Sequence, residues 1–266
     1  MKENDFIKWH EAIKKRRSRR QFIEKPIESG KINYLVEYCQ QLNNWLGGGA
    51  RAVVVTDNPE QAFKGLMGSY GKIKGAPAYV AFIGDSNDLN YQEKAGYLGE
   101  AFILEATNFG LASCWIGGFF KPEVVAEQIE IMPHEEVLAI TPIGYVKKEY
   151  TFEEKLMAGF ATTHKRKDLK ELCQGLAESQ WPKWVQFALE AARLAPSAVN
   201  RQPWRFTIEQ NAIKVSIDNF KNISNISKRL DCGIAMLHLE AGAIAAGVTG
   251  TWTYLESKDV AVYCVR

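Results

Sequence analysis

Apolar residues recur at helical spacing in the long stretches of this chain and alternate or run together in the short ones, so helices and strands interleave from end to end. Ile32, Leu35, Val36, Cys39 and Leu42 keep one face of a helix from about Glu28 to Leu42. Gly47-Gly48-Gly49 then turns the chain into a strand, Ala50 to Thr56. A second helix is expected over Pro59 to Met67. The strand Ala76 to Ile83 is apolar almost without interruption, which suits a central position buried on both faces. The longest helical pattern runs from Tyr91 to Phe109 and closes at Gly110, a C-cap residue. A short helix from Pro122 and a strand from Glu136 to Tyr145 follow.

The order then restarts. Trp184 to Ala195 is an amphipathic helix, Pro196 to Pro203 a turn, and the strands Trp204–Glu209 and Ala212–Asp218 pair across Gln210-Asn211. An apolar helix from Asp231 to Ala246 stops at Gly247, and Val260 to Val265 is the last strand. At a constant offset of 137 residues Gly96 aligns with Gly233, Ala106 with Ala243, Gly110 with Gly247 and Trp115 with Trp252. Small residues recur in any buried helix; the shared order of elements is what makes these matches a repeat. The expectation is one compact unit, 1–266, with repeat halves of about 1–168 and 169–266.

With 46% hydrophobic and 24% charged residues the chain has a soluble globular composition, which excludes a mainly disordered or collagen-like one. A net charge of +2 argues against a dedicated nucleic-acid or membrane-surface binder. It hides one dense cluster, Lys14-Lys15-Arg16-Arg17-Ser18-Arg19-Arg20. The five cysteines lie far apart with no CxxC pair, and no histidine has metal-site spacing, so neither a disulfide framework nor a metal is expected. Met1 to Asp5 lacks the apolar run of a signal peptide. His238 and Glu240 make the stretch Cys232–Leu255 a buried helix in preference to a membrane span. The reading is a cytoplasmic protein with no nucleic-acid and no membrane partner. No Gly-x-Ser-x-Gly or P-loop is present, so hydrolytic-triad and nucleoside-triphosphate chemistry have no support.

Arg16, Ser18 and Arg20 recur at a spacing of two, so an extended segment points all three the same way. A phosphate needs several donors around it, and arginine supplies them in a fixed fork. The alternative is a solvated basic face or a nonspecific nucleic-acid patch.

Several segments together resemble the FMN-dependent nitroreductase family. Arg16-Arg17-Ser18-Arg19-Arg20-Gln21-Phe22 is similar to its N-terminal phosphate-binding motif. Ala195-Pro196-Ser197-Ala198-Val199-Asn200-Arg201-Gln202-Pro203-Trp204 is similar to its second hallmark and is the most specific of the matches. Lys74-Gly75-Ala76-Pro77, Gly110-Leu111 through Cys114-Trp115-Ile116-Gly117-Gly118, and Pro142-Ile143-Gly144-Tyr145 extend the likeness over most of the chain. Ordinary members carry both hallmarks in each subunit of a homodimer. Here the first half keeps only the arginine motif and has Leu42-Asn43-Asn44-Trp45-Leu46-Gly47 where the Pro-Ser-Asn loop belongs. The second half keeps only that loop. The complementary losses resemble the family's single-chain pseudo-dimers, with one intact and one degenerate FMN site.

The resemblance implies an α+β fold: a three-layer α/β/α sandwich with a mixed or antiparallel sheet and two pseudo-symmetric halves in one chain. It implies FMN, one per chain, with its phosphate held by Arg16, Arg17, Ser18 and Arg20 and completed by Lys165 and Arg166. Pro196, Ser197, Ala198 and Asn200 would line the far side of the flavin, the Asn amide meeting its polar edge; the bland reading is a helix-end turn. Trp115 and Ile116 lead to Gly117 and Gly118, the expected catalytic positions, whose backbone passes close to flavin N5; the alternative is a tight loop after a helix. The family commonly has an acidic residue where Gly117 stands, so only a backbone role is expected there. Lys72 would face the flavin O2/N1 edge, unless it is an ordinary solvated loop lysine. Trp45, Phe119 and Phe120 are candidates for a substrate pocket or for core.

The implied function is an FMN-dependent oxidoreductase. NAD(P)H gives hydride to N5 and leaves, and a small-molecule electron acceptor such as a nitroaromatic or quinone takes its place in a ping-pong cycle. The rivals are a flavin enzyme of the same fold with another reaction, a noncatalytic flavin-binding or storage protein, and a nucleic-acid module built on Lys14–Arg20. A monomer or weak homo-oligomer is expected, and Arg20→Ala is expected to weaken FMN retention far more than Arg193→Ala.

Overall fold

The protein is described by a computed structural model covering residues 1–63, 73–118, 120–151, 154, 165–221 and 225–266. Its helices are α1 (Glu3–Lys15), α2 (Ser29–Leu46), α3 (Tyr91–Asn108), α4 (Pro122–Gln128), α5 (Leu169–Leu172), α6 (Lys183–Arg193) and α7 (Lys228–Ala245). Its strands are β1 (Ala50–Val55), β2 (Ala78–Asp85), β3 (Ala112–Ser113), β4 (Glu135–Gly144), β5 (Cys173–Gly175), β6 (Trp204–Ile208), β7 (Ala212–Ile217), β8 (Gly250–Tyr254) and β9 (Asp259–Val265). The helix expected over Pro59–Met67 is a 3-10 turn, Pro59–Phe63; its remainder, Lys72 and Phe119 lie outside the described residues.

The strands form two sheets, ordered β1-β2-β4-β3 and β5-β6-β7-β9-β8. Every pairing is antiparallel except β5 with β6. β2 is buried from Ala78 to Gly84 because both of its faces are covered. Ala78, Val80 and Phe82 face the main core, while Tyr79, Ala81 and Ile83 face a second cluster with Val125 of α4. β6 instead alternates, with Trp204, Phe206 and Ile208 buried and Arg205 and Thr207 partly exposed, so the second sheet turns one face to the core. β8 was missing from the sequence-based expectations. Its pattern, Gly-Thr-Trp-Thr-Tyr, is polar and never fully buried.

α3 and α7 cross at the centre of the helical layer. Gly96 and Gly233 allow the crossing: a Cβ on Gly96 would stand 2.0 Å from the Leu230 carbonyl oxygen. Both helices end alike. Gly110 and Gly247 are left-handed (φ 74° and 83°). The N–H of Leu111 reaches back to Ala106, and that of Val248 to Ala243, closing a Schellman turn in each half. Among the described residues no helix is long and apolar enough to cross a membrane.

Candidate functional site

α1 stops at Arg16, and the chain runs extended through Phe22. Ser18 bridges to Ser113 of β3 and Gln21 to Lys74. Extension separates the cations by face. Arg16, Ser18 and Arg20 line one cavity, with Lys14 and Arg17 beside them. Arg19 points the other way: its guanidinium grips both oxygens of Glu154, donates to the carbonyls of Lys147 and Glu149, and lies over the Tyr150 ring. Burial opposes ionisation of Glu154, but Arg19 and the N–H groups of Arg20 and Thr151 outweigh it and hold its pKa at about 2. Arg19 is therefore a structural cation. With Arg16 and Arg19 both buried, the run is not a uniformly solvated face.

The Pro196–Gln202 loop follows α6 and is held in an uncommon conformation. Val199, Asn200 and Gln202 all have left-handed backbone, at φ 45°, 56° and 49°, a region non-glycine residues rarely enter. Side chains hold it there. The Gln202 N–H donates to Ser197 Oγ at 2.9 Å, and the Lys167 N–H donates to Gln202 Oε1 at 2.8 Å. Asp231, at the start of α7, accepts from the Ala198 N–H at 3.1 Å and from Arg201 Nε at 2.7 Å. Asn200 accepts from Arg166 at 2.7 Å and donates to the Lys165 carbonyl at 2.9 Å. These amide bonds brace the loop; the expectation was an amide turned to a flavin edge. Pro196, Ser197, Ala198 and Asn200 line the same cavity as the arginines.

Trp115 fixes the third wall. Its ring lies on Gly99 of α3, where a Cβ would stand 2.4 Å away, and its indole N–H donates to Glu100 at 2.7 Å. Ile116 pairs with Ile140, continuing the β3–β4 register. Gly117 and Gly118 follow on the cavity wall, and Ile226 packs over both.

The cavity measures about 500 Å³, inside the roughly 300–1,000 Å³ usual for small-molecule sites. Ile13, Leu194, Leu230 and Ile234 give it an apolar side, and five cationic side chains face two carboxylates. Both carboxylates are already bonded, Glu154 to Arg19 and Asp231 to Arg201, so the wall keeps a cationic excess. Burial and then the charges of Arg16, Arg17 and Arg193 lower the Arg166 pKa to about 10. Among the described residues no hydrogen bond or ion pair engages the Arg20 guanidinium. Such a wall fits a phosphate monoester, and the apolar side fits an attached planar ring. No group of three His, Cys, Asp or Glu among the described residues could hold a metal.

Two expected positions differ from the rest. Lys165 is exposed and does not line the cavity; its carbonyl accepts from Asn200 and Gln202. Trp45 is away from the cavity, in an aromatic cluster with Phe6, Trp9 and Tyr97, and Phe120 packs on the second core. Arg193 is no neutral control, because its charge reaches Arg166. Sequence reasoning missed Glu100, Asp231 and His238, which are buried ionisable residues. Glu100 is one of several charges in α3 and Asp231 lies in the charged first turn of α7, so their residue types alone do not mark them.

Residues 8–243 match a family model described as "Putative TM nitroreductase". A solved structure described as a "putative nitroreductase" from Thermotoga maritima is similar over 97% of this chain and 93% of its own, with a TM-score of 0.63 and 18% identity, a likeness of fold. An "FMN-dependent Nitroreductase" from Clostridium difficile is 22% identical over 53% of this chain and 88% of its own, with a TM-score of 0.43. A "Putative NADH dehydrogenase/NAD(P)H nitroreductase" from Bacteroides thetaiotaomicron is 21% identical over 55% of this chain and 94% of its own, also at 0.43. A search of curated proteins found no match.

Proposed function

Because the chain belongs to that nitroreductase family, we propose that it is an FMN-dependent oxidoreductase using NAD(P)H to reduce a nitroaromatic, quinone or similar acceptor. One observation carries the reading: the cavity joins the arginine segment of the first half to the Pro-Ser-Asn loop of the second. Neither half supplies both.

Arg16, Arg17, Ser18, Arg20 and Arg166 are the proposed phosphate donors, charge-assisted and set in a wall with cationic excess. Pro196, Ser197 and Ala198 bound the ring on one side, and Leu230 and Ile234 give it an apolar surface that excludes water. The N–H groups at Gly117 and Gly118 are the donors assigned to the ring edge. FMN, when bound, supplies hydride acceptance and donation, which no side chain here can perform. Lys165 joins through its carbonyl, bracing the loop.

The two halves are proposed to descend from one duplicated domain. The strand orders β1-β2-β4-β3 and β6-β7-β9-β8 run in parallel, and the glycine and tryptophan matches keep the 137-residue offset. Tyr254 and Leu255 stand at that offset from Gly117 and Gly118, which supports one FMN per chain. A cytoplasmic monomer or weak homo-oligomer accords with this reading.

The test is direct. Purified protein is expected to carry, or take up, one FMN per chain and to bleach when NAD(P)H is added without oxygen. A protein that cannot be loaded with FMN would refute the reading. Loaded protein that neither NADH nor NADPH reduces would make it a flavin-binding or storage protein.

A further inference from the structure

Behind the cationic wall, at the α3–α7 crossing, lies a buried polar chain that the proposed cofactor contacts leave unused. Glu100 of α3 and His238 of α7 are both fully buried. Glu100 Oε1 lies 2.8 Å from His238 Nε2, and His238 Nδ1 lies 3.0 Å from the Ala191 carbonyl oxygen of α6. That carbonyl only accepts, so Nδ1 carries a proton.

On its other side Glu100 meets two residues of the cavity wall. Its Oε2 accepts from the Trp115 indole at 2.7 Å, and its Oε1 lies 3.9 Å from Arg16 Nε. Glu100 thus holds Arg16 by charge at 3.9 Å, a distance beyond a hydrogen bond. On the cavity side Arg16 Nη1 donates to Ser18 Oγ at 3.5 Å, and both residues line the cavity.

We propose that Glu100, fixed by His238, is a positioning residue that holds Arg16 toward a phosphate monoester in the cavity. This rests on the FMN reading above. Coulomb's law alone argues the opposite, since removing a carboxylate near an anion site should strengthen anion binding. The two effects predict opposite signs.

A symmetry-like control exists. Glu240 of α7 accepts from the Trp252 indole at 2.7 Å, as Glu100 does from Trp115, but it is half-buried and its partners, Trp252 and Tyr97, do not line the cavity. Binding of FMN and of riboflavin, which lacks the phosphate, is measured by calorimetry for wild type, Glu100→Gln and Glu240→Gln. Glu100→Gln is expected to weaken FMN about tenfold, equivalent to about 1.4 kcal/mol, while riboflavin affinity stays constant; Glu240→Gln is expected to change neither. FMN affinity that holds or rises in Glu100→Gln overturns the proposal, as does an equal loss for both ligands. If Glu100→Gln does not fold, Glu100→Asp keeps the charge, withdraws it by one methylene and must show the same selective loss. Wild-type protein that binds neither ligand overturns the FMN reading and this proposal with it.

Discussion

Gly96 and Gly233 each lie against the other's helix at matched positions. A Cβ on Gly96 would stand 2.0 Å from the Leu230 carbonyl oxygen, and one on Gly233 would stand 1.9 Å from that of Glu93. Leu230 precedes Gly233 by three residues, and Glu93 precedes Gly96 by three. The contact is reciprocal, and both obstacles are backbone, which cannot swing aside.

Gly96→Ala and Gly233→Ala are therefore each expected to destabilise the protein by about 1–3 kcal/mol or more, the range for overpacking. Gly30, in the first turn of α2, has no atom within 4 Å of its virtual Cβ, so Gly30→Ala should hold or raise stability by up to about 1 kcal/mol. Denaturant midpoints of the three variants check this; a central glycine as tolerant as Gly30 would contradict the close crossing.

Adjacent arginines should behave differently. Arg19→Ala leaves Glu154 buried without its cation, a loss of about 3–5 kcal/mol when a buried pair is broken, and should appear mainly in the melting midpoint. Arg20→Ala should keep the midpoint and lose FMN by about tenfold or more. Arg51, paired with Glu135 on β1 away from the cavity, replaces Arg193 as the control for FMN affinity. Equal FMN loss in Arg20→Ala and Arg51→Ala would contradict the phosphate assignment.

Two buried carboxylates should pull stability in opposite directions on acidification. Burial pushes the Asp231 pKa up to about 6 against Arg201 and the Ala198 N–H. Between that value and its ordinary 3.8 the native state binds the proton and the unfolded chain does not, so this group's contribution rises as pH falls. Glu154, held at about 2, stabilises above its ordinary range and loses that contribution as pH falls toward 2. Unfolding free energies of wild type and Asp231→Asn from pH 7 to pH 4 test the first statement. The variant should lack the acid-side gain; parallel curves would count against it.

Replacing Gly117 by Tyr and Gly118 by Leu, the residues found 137 positions later, should abolish FMN loading while helical circular dichroism is retained. Lys94 of the first half lies over the ring of Tyr254 in the second at 5.3 Å, whereas a Cβ on Gly117 already meets Ile226 at 3.2 Å. A double variant that still takes up one FMN would remove these glycines from the site.

The sequence made most of the fold legible because periodic burial governs long elements. The α3 and α7 boundaries, their glycine stops and the buried β2 strand all follow from it. It did not separate Arg19 from Arg16 and Arg20, since a run of cations carries no mark of which one meets Glu154, 135 residues away. β8 escaped because a strand at the edge of its sheet needs little apolar patterning. Asn200 was identified as a site residue, but its bonds to Arg166 and Lys165 depend on a segment more than thirty residues earlier. Glu100 and His238 were invisible as a pair, because only the helix crossing brings them together.

Continuity of the chain frees the two sides of the molecule from each other. In an assembly of identical subunits every substitution is made twice, so a residue that improves one wall must be tolerated by its copy. On the duplication proposed above, positions 137 apart are counterparts that are free to differ. Asp231 pairs with Arg201 at 2.7 Å, while Lys94, 137 positions earlier, pairs with Asp88 at 2.6 Å in the opposite polarity. Each side can be revised without revising the other. On the proposed duplication, a hollow kept on one flank places no demand that its counterpart be kept as well.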